Sequence, residues 1–371
     1  MTTFDPWLEV SASALAHNAR AIARLGNGKP IVAVAKNNAY GLGLAIAGPL
    51  LDRLGEVQML AVVRPDEALA LRRAGVRKPI LLMGPADDDE LMELVPAGVI
   101  QAPHLPDDPE RYARASARLR LPVPVQAYVD TGMHRMGMPV AQALPWLESL
   151  KGAGAGGAVR IMGAFTELVE DAGFDRSQAQ RLRQLQSAAR ARGIVIGPLH
   201  AASSDALQHQ TTESFLDAVR PGLALYGGYV SERAMARNDL RVAYTLKARV
   251  MRVDRLEAGE GVSYHRRWTT DKPAWTATLA VGHVDGYPTG AIKGCQVLVK
   301  GNLHPVIGYV SASHTIIAVG EHPTVAVGDE ATLVGPQHPA LHPNEIAKRA
   351  EYSEYNMFMH LSPGLRRTVV E

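Results

Sequence analysis

The chain of 371 residues carries 39 lysine and arginine residues against 37 aspartate and glutamate residues, a net charge of +2 without any basic run. That balance argues against nucleic acid and against an anionic membrane surface as partners. The single cysteine, Cys295, excludes an internal disulfide and a metal site built on paired cysteines. The N-terminus lacks a basic region followed by an apolar run, and no stretch approaches the ~18 apolar residues of a membrane span, so we expect a cytoplasmic enzyme.

A short apolar run followed by a longer segment of helical period recurs from about residue 8 to about residue 230. Helices are predicted at Ala14–Leu25 and Gln178–Arg192, and Pro65–Gly75 opens with Pro-Asp-Glu, which is typical of helix starts. The alternation predicts a TIM-type (β/α)8 barrel, which we assign to residues 8–235. Its eight strands are predicted at Pro30–Lys36, Met59–Val63, Pro79–Met83, Gly98–Gln101, Pro124–Val129, Arg160–Phe165, Ile196–His200 and Leu223–Tyr226.

The pattern changes after about residue 240, where Val, Thr and Ile alternate with polar residues and glycines separate the runs. A period of two is typical of half-buried strands. We therefore predict a C-terminal all-β domain over residues 236–371, joined by the first few residues of the chain, with the boundary within Gly227–Leu240. Its strands are predicted at Thr276–Val281, Gln296–Lys300, Val306–Val310 and Thr315–Val319.

Lys36 ends the first predicted barrel strand and is followed at once by loop residues. In barrels of this type the catalytic groups lie at the carboxyl ends of the strands, where the loops gather. A lysine in this position could also simply extend its charged end into solvent. The motifs elsewhere in the chain favour a functional lysine.

Several segments at predicted strand or loop ends carry motifs in a characteristic order. They are Lys36–Gly43 (KNNAYGLG), Val129–Gly137 (VDTGMHRMG), Leu199–Ser204 (LHAASS), Val219–Gly227 (VRPGLALYG), Val262–His265 (VSYH), Gly282–Pro288 (GHVDGYP) and Leu361–Pro363 (LSP). With these motifs the chain resembles the alanine racemase family of fold type III pyridoxal-phosphate enzymes across nearly its whole length. The resemblance implies bound pyridoxal 5'-phosphate, an amino-acid substrate and a homodimer with shared active sites.

For catalysis, the resemblance implies two bases. Lys36 would hold the cofactor as a Schiff base and then act as a base on one face of the substrate α-carbon. Tyr264, contributed by the β domain of the partner subunit, would transfer the proton on the other face. A half-buried strand aromatic is the alternative interpretation of Tyr264.

The resemblance also assigns groups around the cofactor. Arg220 would face the pyridine nitrogen and, because a guanidinium only donates, would leave that nitrogen unprotonated. His200 would lie beside the ring, and a surface ion pair is the alternative for Arg220. The phosphate donors would be Tyr40, Ser204, Gly222 and Tyr355, with further hydroxyls available from Ser203 and Tyr226.

On the substrate side the sequence departs from the family. Arg135 would bind the substrate carboxylate with its planar fork, with a structural salt bridge as the alternative. The family's lysine, often carbamylated, that positions this arginine is Tyr128 here, so Arg135 must be oriented another way. Glu167 replaces the histidine that hydrogen-bonds the catalytic tyrosine, and His265, next to Tyr264, is a candidate to compensate.

Further substitutions change the substrate pocket. The family's Cys-Met-Asp appears as Ser311-Ala312-Ser313, and His283 stands in place of a tyrosine. The small groups at Ala312 and Ser313 would leave room for a substrate side chain larger than methyl. No recognised ligand spacing indicates a catalytic metal. The chain keeps the family's residues on the cofactor side and departs from them on the substrate side. This pattern is typical of an enzyme whose substrate specificity has changed while its cofactor site was inherited.

We predict racemisation of alanine, or of a larger or polar amino acid. A lyase, acting by decarboxylation or retro-aldol cleavage, is the enzymatic alternative, because it needs proton control on only one face. A non-catalytic protein that binds the cofactor is a third hypothesis, and the complete second domain together with Tyr264 argues against it. The sequence leaves the substrate and the pathway open.

Overall fold

The computed structural model describes residues 4–371, and a closed ring of parallel strands forms its first domain. Bridges from Gln101 to Val125, from His200 to Ala218 and from Val219 to Ile31 join the ends of two open sheets. The ring therefore has eight positions, and the predicted (β/α)8 barrel is confirmed. Its seven regular strands are Ile31–Val34, Val57–Val62, Ile80–Leu82, Val99–Ile100, Val123–Asp130, Val159–Phe165 and Leu199–His200, with a short edge strand at Met138–Pro139.

The prediction of the eighth strand at Leu223–Tyr226 is wrong. Those residues form a fully buried 3-10 turn, and the eighth position is taken by the residues just before them. Val219 donates its N–H to Pro30 O at 3.0 Å and accepts from Val32 N at 2.8 Å, which closes the barrel. An apolar run buried on all sides has no periodicity that distinguishes a strand from a turn.

The helices outside the ring lie close to their predicted positions. The helix predicted at Gln178–Arg192 begins earlier, because the Asp171 side chain accepts the N–H groups of Gly173 and Phe174 and caps it there. The helices of this domain are Ala12–Leu25, Leu44–Asp52, Pro65–Arg73, Asp88–Leu94, Asp108–Leu119, Val140–Ala155, Ala172–Ala191 and Ser204–His209.

The second domain is a sheet of antiparallel strands closed on itself. The long strand Tyr244–Leu256 pairs on one side with Ala274–Leu279 and on the other with Glu330–Val334, which closes a ring of six strands. Trp7–Ser11 pairs with Tyr244–Leu256 and with Arg366–Val370, so this strand lies in the β domain. The remaining strands are Gln296–Val299, Asn302–Ile307, Thr315–Gly320, Gly261–Val262 and Trp268–Thr269, and the helices are Glu232–Met235, Pro343–Ala350 and Glu354–Met359.

Within residues 4–371, none of the helices has the length and apolar character needed to cross a membrane. Residues 1–3, which belong to the N-terminal stretch considered in the sequence predictions, lie outside the described residues.

Candidate active site

A cavity of about 670 Å³ opens at the carboxyl ends of the barrel strands. Tyr128 and Glu167, the two substitutions noted on the substrate side, line it. In the part of the chain that the structure describes, no group of three or more His, Cys, Asp or Glu side chains is arranged to hold a metal ion. The cavity brings together eight of the predicted site residues, which are Lys36, Tyr40, Arg135, Ser203, Ser204, Arg220, Gly222 and Tyr355.

The cavity lysine is followed by a left-handed turn of the backbone. Asn37, Asn38, Ala39 and Tyr40 have φ values of 53°, 57°, 54° and 52°. Left-handed helical backbone costs roughly 1–2 kcal/mol per L-residue, and asparagine tolerates it best. Four such residues in succession persist only where surrounding contacts hold them, so the turn after Lys36 is strained backbone at a functional position.

Glu67 supplies a large part of that restraint. One oxygen of its buried carboxylate accepts the N–H of Asn38 at 3.1 Å. The other oxygen accepts the N–H groups of Val63 and Arg64, each at 3.3 Å. Glu67 thereby ties the left-handed turn to the end of the next barrel strand. Glu67 stands in the Pro-Asp-Glu helix start, and nothing in the sequence separates this role from that of an ordinary first-turn acidic residue.

The electrostatics of the cavity favour a neutral amine at Lys36. Burial lowers the pKa of Lys36, and the nearby carboxylate of Glu167 opposes this by raising it. The positive charges of Arg135 and Arg220 lower it again. The net effect is a pKa below the ordinary lysine value, so more of the amine is available as a nucleophile and base near neutral pH.

The end of the cavity that Tyr40, Ser204, Gly222 and Tyr355 form presents neutral hydrogen-bond donors. Ser204 Oγ accepts the N–H groups of Gly222 and Ala224, both at 3.1 Å. Because those two bonds occupy its lone pairs, the hydroxyl proton of Ser204 remains free to donate into the cavity. Burial raises the pKa of Tyr40 and of Tyr355, which keeps both phenols protonated as donors. Hydroxyl and backbone N–H donors of this kind can bind the oxygens of a phosphate group.

Tyr40 and Gly222 are in close contact at this end. A Cβ at position 222 would lie 2.1 Å from the Tyr40 hydroxyl, so only glycine fits there. Tyr40 stacks on the ring of Tyr226 with centroids 4.7 Å apart. The hydroxyl of Tyr226 donates to Val34 O at 2.9 Å, and the side chain is fully buried outside the cavity. The expectation that Tyr226 offers a hydroxyl to phosphate is therefore wrong, because this residue supports Tyr40 instead.

Arg220 is held by acceptors from three directions. Its Nη1 donates to His200 Nδ1 at 2.6 Å, and its Nη2 donates to Thr166 O at 2.8 Å and to Glu167 Oε1 at 3.0 Å. His200 was expected beside the cofactor ring, yet it lies behind Arg220 and does not line the cavity. His200 instead determines how Arg220 is oriented.

Arg135 is presented by a loop shaped around one carboxylate. Asp130 Oδ1 accepts the N–H groups of Gly132 at 2.8 Å and Met133 at 2.9 Å, and the carboxylate also accepts from His134. The loop thus turns back immediately after its strand. The Arg135 side chain that follows is 58% exposed and has its end 3.6 Å from Glu167 Oε2.

Gln178 holds the loop that carries Glu167. From the sequence, Gln178 was predicted only as the first residue of a helix. Its Nε2 donates to Glu167 O at 2.9 Å, and its Oε1 accepts the N–H of Val169 at 3.1 Å. Gln178 is fully buried. A buried amide on a helix gives no sequence signal that separates it from an ordinary core position.

Besides His200 and Tyr226, four predicted site residues do not line the cavity of their own chain: Tyr264, His283, Ala312 and Ser313. All four belong to the β domain, and the side chain of Tyr264 is 66% exposed. Ser263, just before Tyr264, has φ 66° and exchanges hydrogen bonds with the backbone of Tyr309 at 3.2 and 3.0 Å. Tyr264 thus projects from a strained turn at the surface, and Glu167 and His265 do not meet within one chain.

The comparisons with known proteins agree with the geometry of both domains. The family model "Alanine racemase, N-terminal domain" matches residues 10–230, and "Alanine racemase, C-terminal domain" matches residues 243–369. The alanine racemase of Desulfovibrio desulfuricans is 32% identical over 378 residues and covers 100% of both chains. A crystal structure of alanine racemase from a D-cycloserine-producing Streptomyces lavendulae has a TM-score of 0.92 at 25% identity, covering 100% of this chain and 98% of that one. A histidine racemase from Leuconostoc mesenteroides shares the fold, with a TM-score of 0.90 at 24% identity and coverage of 100% and 99%.

Proposed function

Because the chain belongs to the alanine racemase family, we propose that it interconverts the L and D forms of alanine, or of an amino acid with a larger or polar side chain. Enzymes of this family use pyridoxal 5'-phosphate. The observation that carries the proposal is one cavity in which Lys36, the phosphate-type donors and Arg220 face a common space. The lyase alternative has no observation in its favour.

The residues of the cavity fit this cofactor. Ser204, Tyr40 and Tyr355 line the cavity together with Lys36 and offer hydroxyl protons, and Gly222 beside Tyr40 has no side chain to obstruct them. When bound, the cofactor supplies the electron sink that makes loss of the substrate α-proton feasible. Arg220, which can only donate, would leave the pyridine nitrogen unprotonated and so limit side reactions.

Lys36 is proposed as the base on one face of the substrate. Its lowered pKa makes the neutral Nζ available, and Nζ can then remove or return the α-proton. Arg135 would bind the substrate carboxylate at the open side of the cavity, where its guanidinium is exposed.

The second face requires another copy of the chain. Tyr264 projects from the surface of the β domain and lies outside the cavity that contains Lys36 of the same chain. We propose a homodimer in which Tyr264 of the partner subunit completes the site. His283, Ala312 and Ser313 of the partner subunit would then border the substrate side chain, and the small residues among them favour a substrate larger than alanine. A cytoplasmic location stays a prediction.

A panel of amino acids tests the activity. The holoenzyme is incubated with each L- and D-amino acid separately, and chirality, carbon dioxide and aldehyde are followed. A racemised product is expected. Carbon dioxide or aldehyde would establish the lyase instead, and no turnover with any amino acid would indicate a cofactor-binding protein.

Variants test the assigned residues. Lys36→Ala should lose the visible absorbance band of the lysine-bound cofactor, which borohydride removes from the native protein. Tyr264→Phe should retain that band and the fold but lose α-proton exchange in deuterated water on one face. Exchange that continues unchanged from both enantiomers in Tyr264→Phe would contradict the two-base scheme.

A further inference from the structure

Glu167 lies between two arginines of the cavity. Its Oε1 accepts a hydrogen bond from Arg220 Nη2 at 3.0 Å, and its Oε2 lies 3.6 Å from Arg135 Nη2. The side chain of Arg220 is 2% exposed, and that of Glu167 is 23% exposed. Each carboxylate oxygen therefore faces a different guanidinium, and one of the two guanidiniums is immobile in the protein interior.

Besides Glu167, the phenol of Tyr128 lies within hydrogen-bonding reach of Arg135 and is its other polar neighbour. Within residues 4–371, the ion pair with Glu167 is the one salt bridge that Arg135 forms. An arginine side chain that nothing restrains loses rotamer entropy when a ligand fixes it. The neighbouring Tyr128 cannot supply a counter-charge, because burial and the charge of Glu167 raise its pKa to about 12.

We propose that Glu167 is the positioning residue for Arg135, holding its guanidinium toward the substrate carboxylate and using Arg220 as the fixed anchor. This inference rests on the proposed function for the presence of an α-carboxylate in the cavity. The carboxylate of Glu167 would then orient Arg135 in a chain that has Tyr128 at the position where the family commonly has a carbamylated lysine.

The charges are consistent with this role. Two guanidinium groups against one carboxylate leave one positive charge at this side of the cavity, which can attract a substrate carboxylate. A guanidinium has five N–H donors, and the contact with Glu167 occupies only one side of Arg135. The remaining donors of Arg135 are therefore available to the ligand while Glu167 restrains the side chain.

The variant Glu167→Gln separates positioning from folding. A glutamine keeps one oxygen for Arg220 Nη2 but loses the second oxygen and the charge that face Arg135. Glu93→Gln is the control, since Glu93 is an exposed helix glutamate that does not line the cavity. Thermal unfolding of both variants checks that the protein is intact.

The first readout is binding of acetate to the holoenzyme by calorimetry, which needs no turnover. We expect Glu167→Gln to weaken acetate binding and raise KM about tenfold, with kcat changed less than about threefold, while Glu93→Gln leaves acetate affinity unchanged. In the Arg135→Lys background, Glu167→Gln should have no further effect on acetate affinity, because the two residues act through one contact.

Equal acetate affinity in Glu167→Gln and the native protein would overturn the proposal, as would full additivity with Arg135→Lys. A protein that turns over no amino acid but shows the expected acetate pattern would contradict the proposed function and leave the positioning role supported.

Discussion

Arg220 Nη1 donates a 2.6 Å hydrogen bond to Nδ1 of His200. Because an arginine cannot accept, Nδ1 carries no proton, and the proton on Nε2 is donated to Gln126 Oε1 at 2.7 Å. Burial, reinforced by the charge of Arg220, holds the pKa of His200 well below its ordinary value. His200 is thus a neutral acceptor, and Arg220 keeps its full positive charge toward the cavity.

The neutral His200 predicts a loss of stability in mild acid. Below about pH 6.5 the unfolded chain binds a proton at His200 that the folded protein does not, so the free energy of unfolding falls as the pH falls. A single such histidine gives a slope of up to roughly 1.4 kcal/mol per pH unit. Denaturant unfolding of the apoprotein between pH 7.5 and 5 measures it.

In His200→Asn, the free energy of unfolding should depend less steeply on pH, because about one proton fewer is taken up on unfolding. Asparagine still offers Arg220 an acceptor but does not titrate. His342, whose pKa burial lowers to about 4, retains its own slope over the same range in this variant. A pH dependence identical to that of the native protein would contradict a neutral, buried His200.

The contact between Gly222 and Tyr40 predicts a strong effect of one methyl group. Gly222→Ala would place Cβ 2.1 Å from the Tyr40 hydroxyl and push the phenol away from the donor set. We expect cofactor affinity to fall at least about tenfold and stability to fall by about 1–3 kcal/mol from overpacking.

The control for that variant is Gly55→Ala, because Cβ at position 55 meets no atom within 4 Å and its backbone is not left-handed. Cofactor affinity is measured by titrating the apoprotein and following absorbance. Native affinity in Gly222→Ala would show that Tyr40 does not belong to the cofactor cradle.

The anchoring of the left-handed turn by Glu67 predicts a loss of both stability and cofactor binding in Glu67→Gln. The amide keeps one acceptor oxygen, so either Asn38 or the pair Val63 and Arg64 loses its charge-assisted bond. We expect the free energy of unfolding to fall by about 1.5–3 kcal/mol. Denaturant titration compares this variant with Glu93→Gln, an exposed glutamate on another barrel helix.

The family resemblance, rather than the predicted strands, placed Ser204 and Gly222 together as phosphate donors, since Gly222 stood before a strand that was predicted wrongly. The structure brings the two residues into contact, with Gly222 N–H donating to Ser204 Oγ at 3.1 Å. The direction of the Tyr226 hydroxyl was not predictable, since it depends on the carbonyl of Val34, which is 192 residues away in the sequence. For the same reason the position of His200 behind Arg220 required the folded chain.

Other features escaped prediction because local sequence rules point elsewhere. Ala39 and Tyr40 have no intrinsic tendency toward left-handed backbone, and tertiary contacts such as that of Glu67 with Asn38 hold them there. The double contact of Glu167 joins residues 32 and 53 positions away. The family resemblance indicated that Glu167 replaces a histidine, whereas its contacts with Arg135 and Arg220 became evident only from the folded structure.

The charges around Lys36 predict opposite pH shifts in two variants. Glu167 raises the pKa of Lys36, so Glu167→Gln should lower it further. Arg135 lowers the same pKa, so Arg135→Gln should raise it. Because only the neutral amine reacts with pyridoxal phosphate, the pH midpoint of cofactor attachment to the apoprotein should move to lower pH in the first variant and to higher pH in the second.

Attachment rates are followed by stopped-flow absorbance from pH 6 to 10, and the native protein provides the reference midpoint. Since the free cofactor titrates identically in every sample, a difference between two midpoints reports a difference in the pKa of Lys36. Both variants change a residue of the same ion pair, so a shared loss of packing would move the two midpoints in the same direction. Opposite displacements therefore isolate the electrostatic effect, and displacements of one sign would show that the charges of Glu167 and Arg135 do not control Lys36.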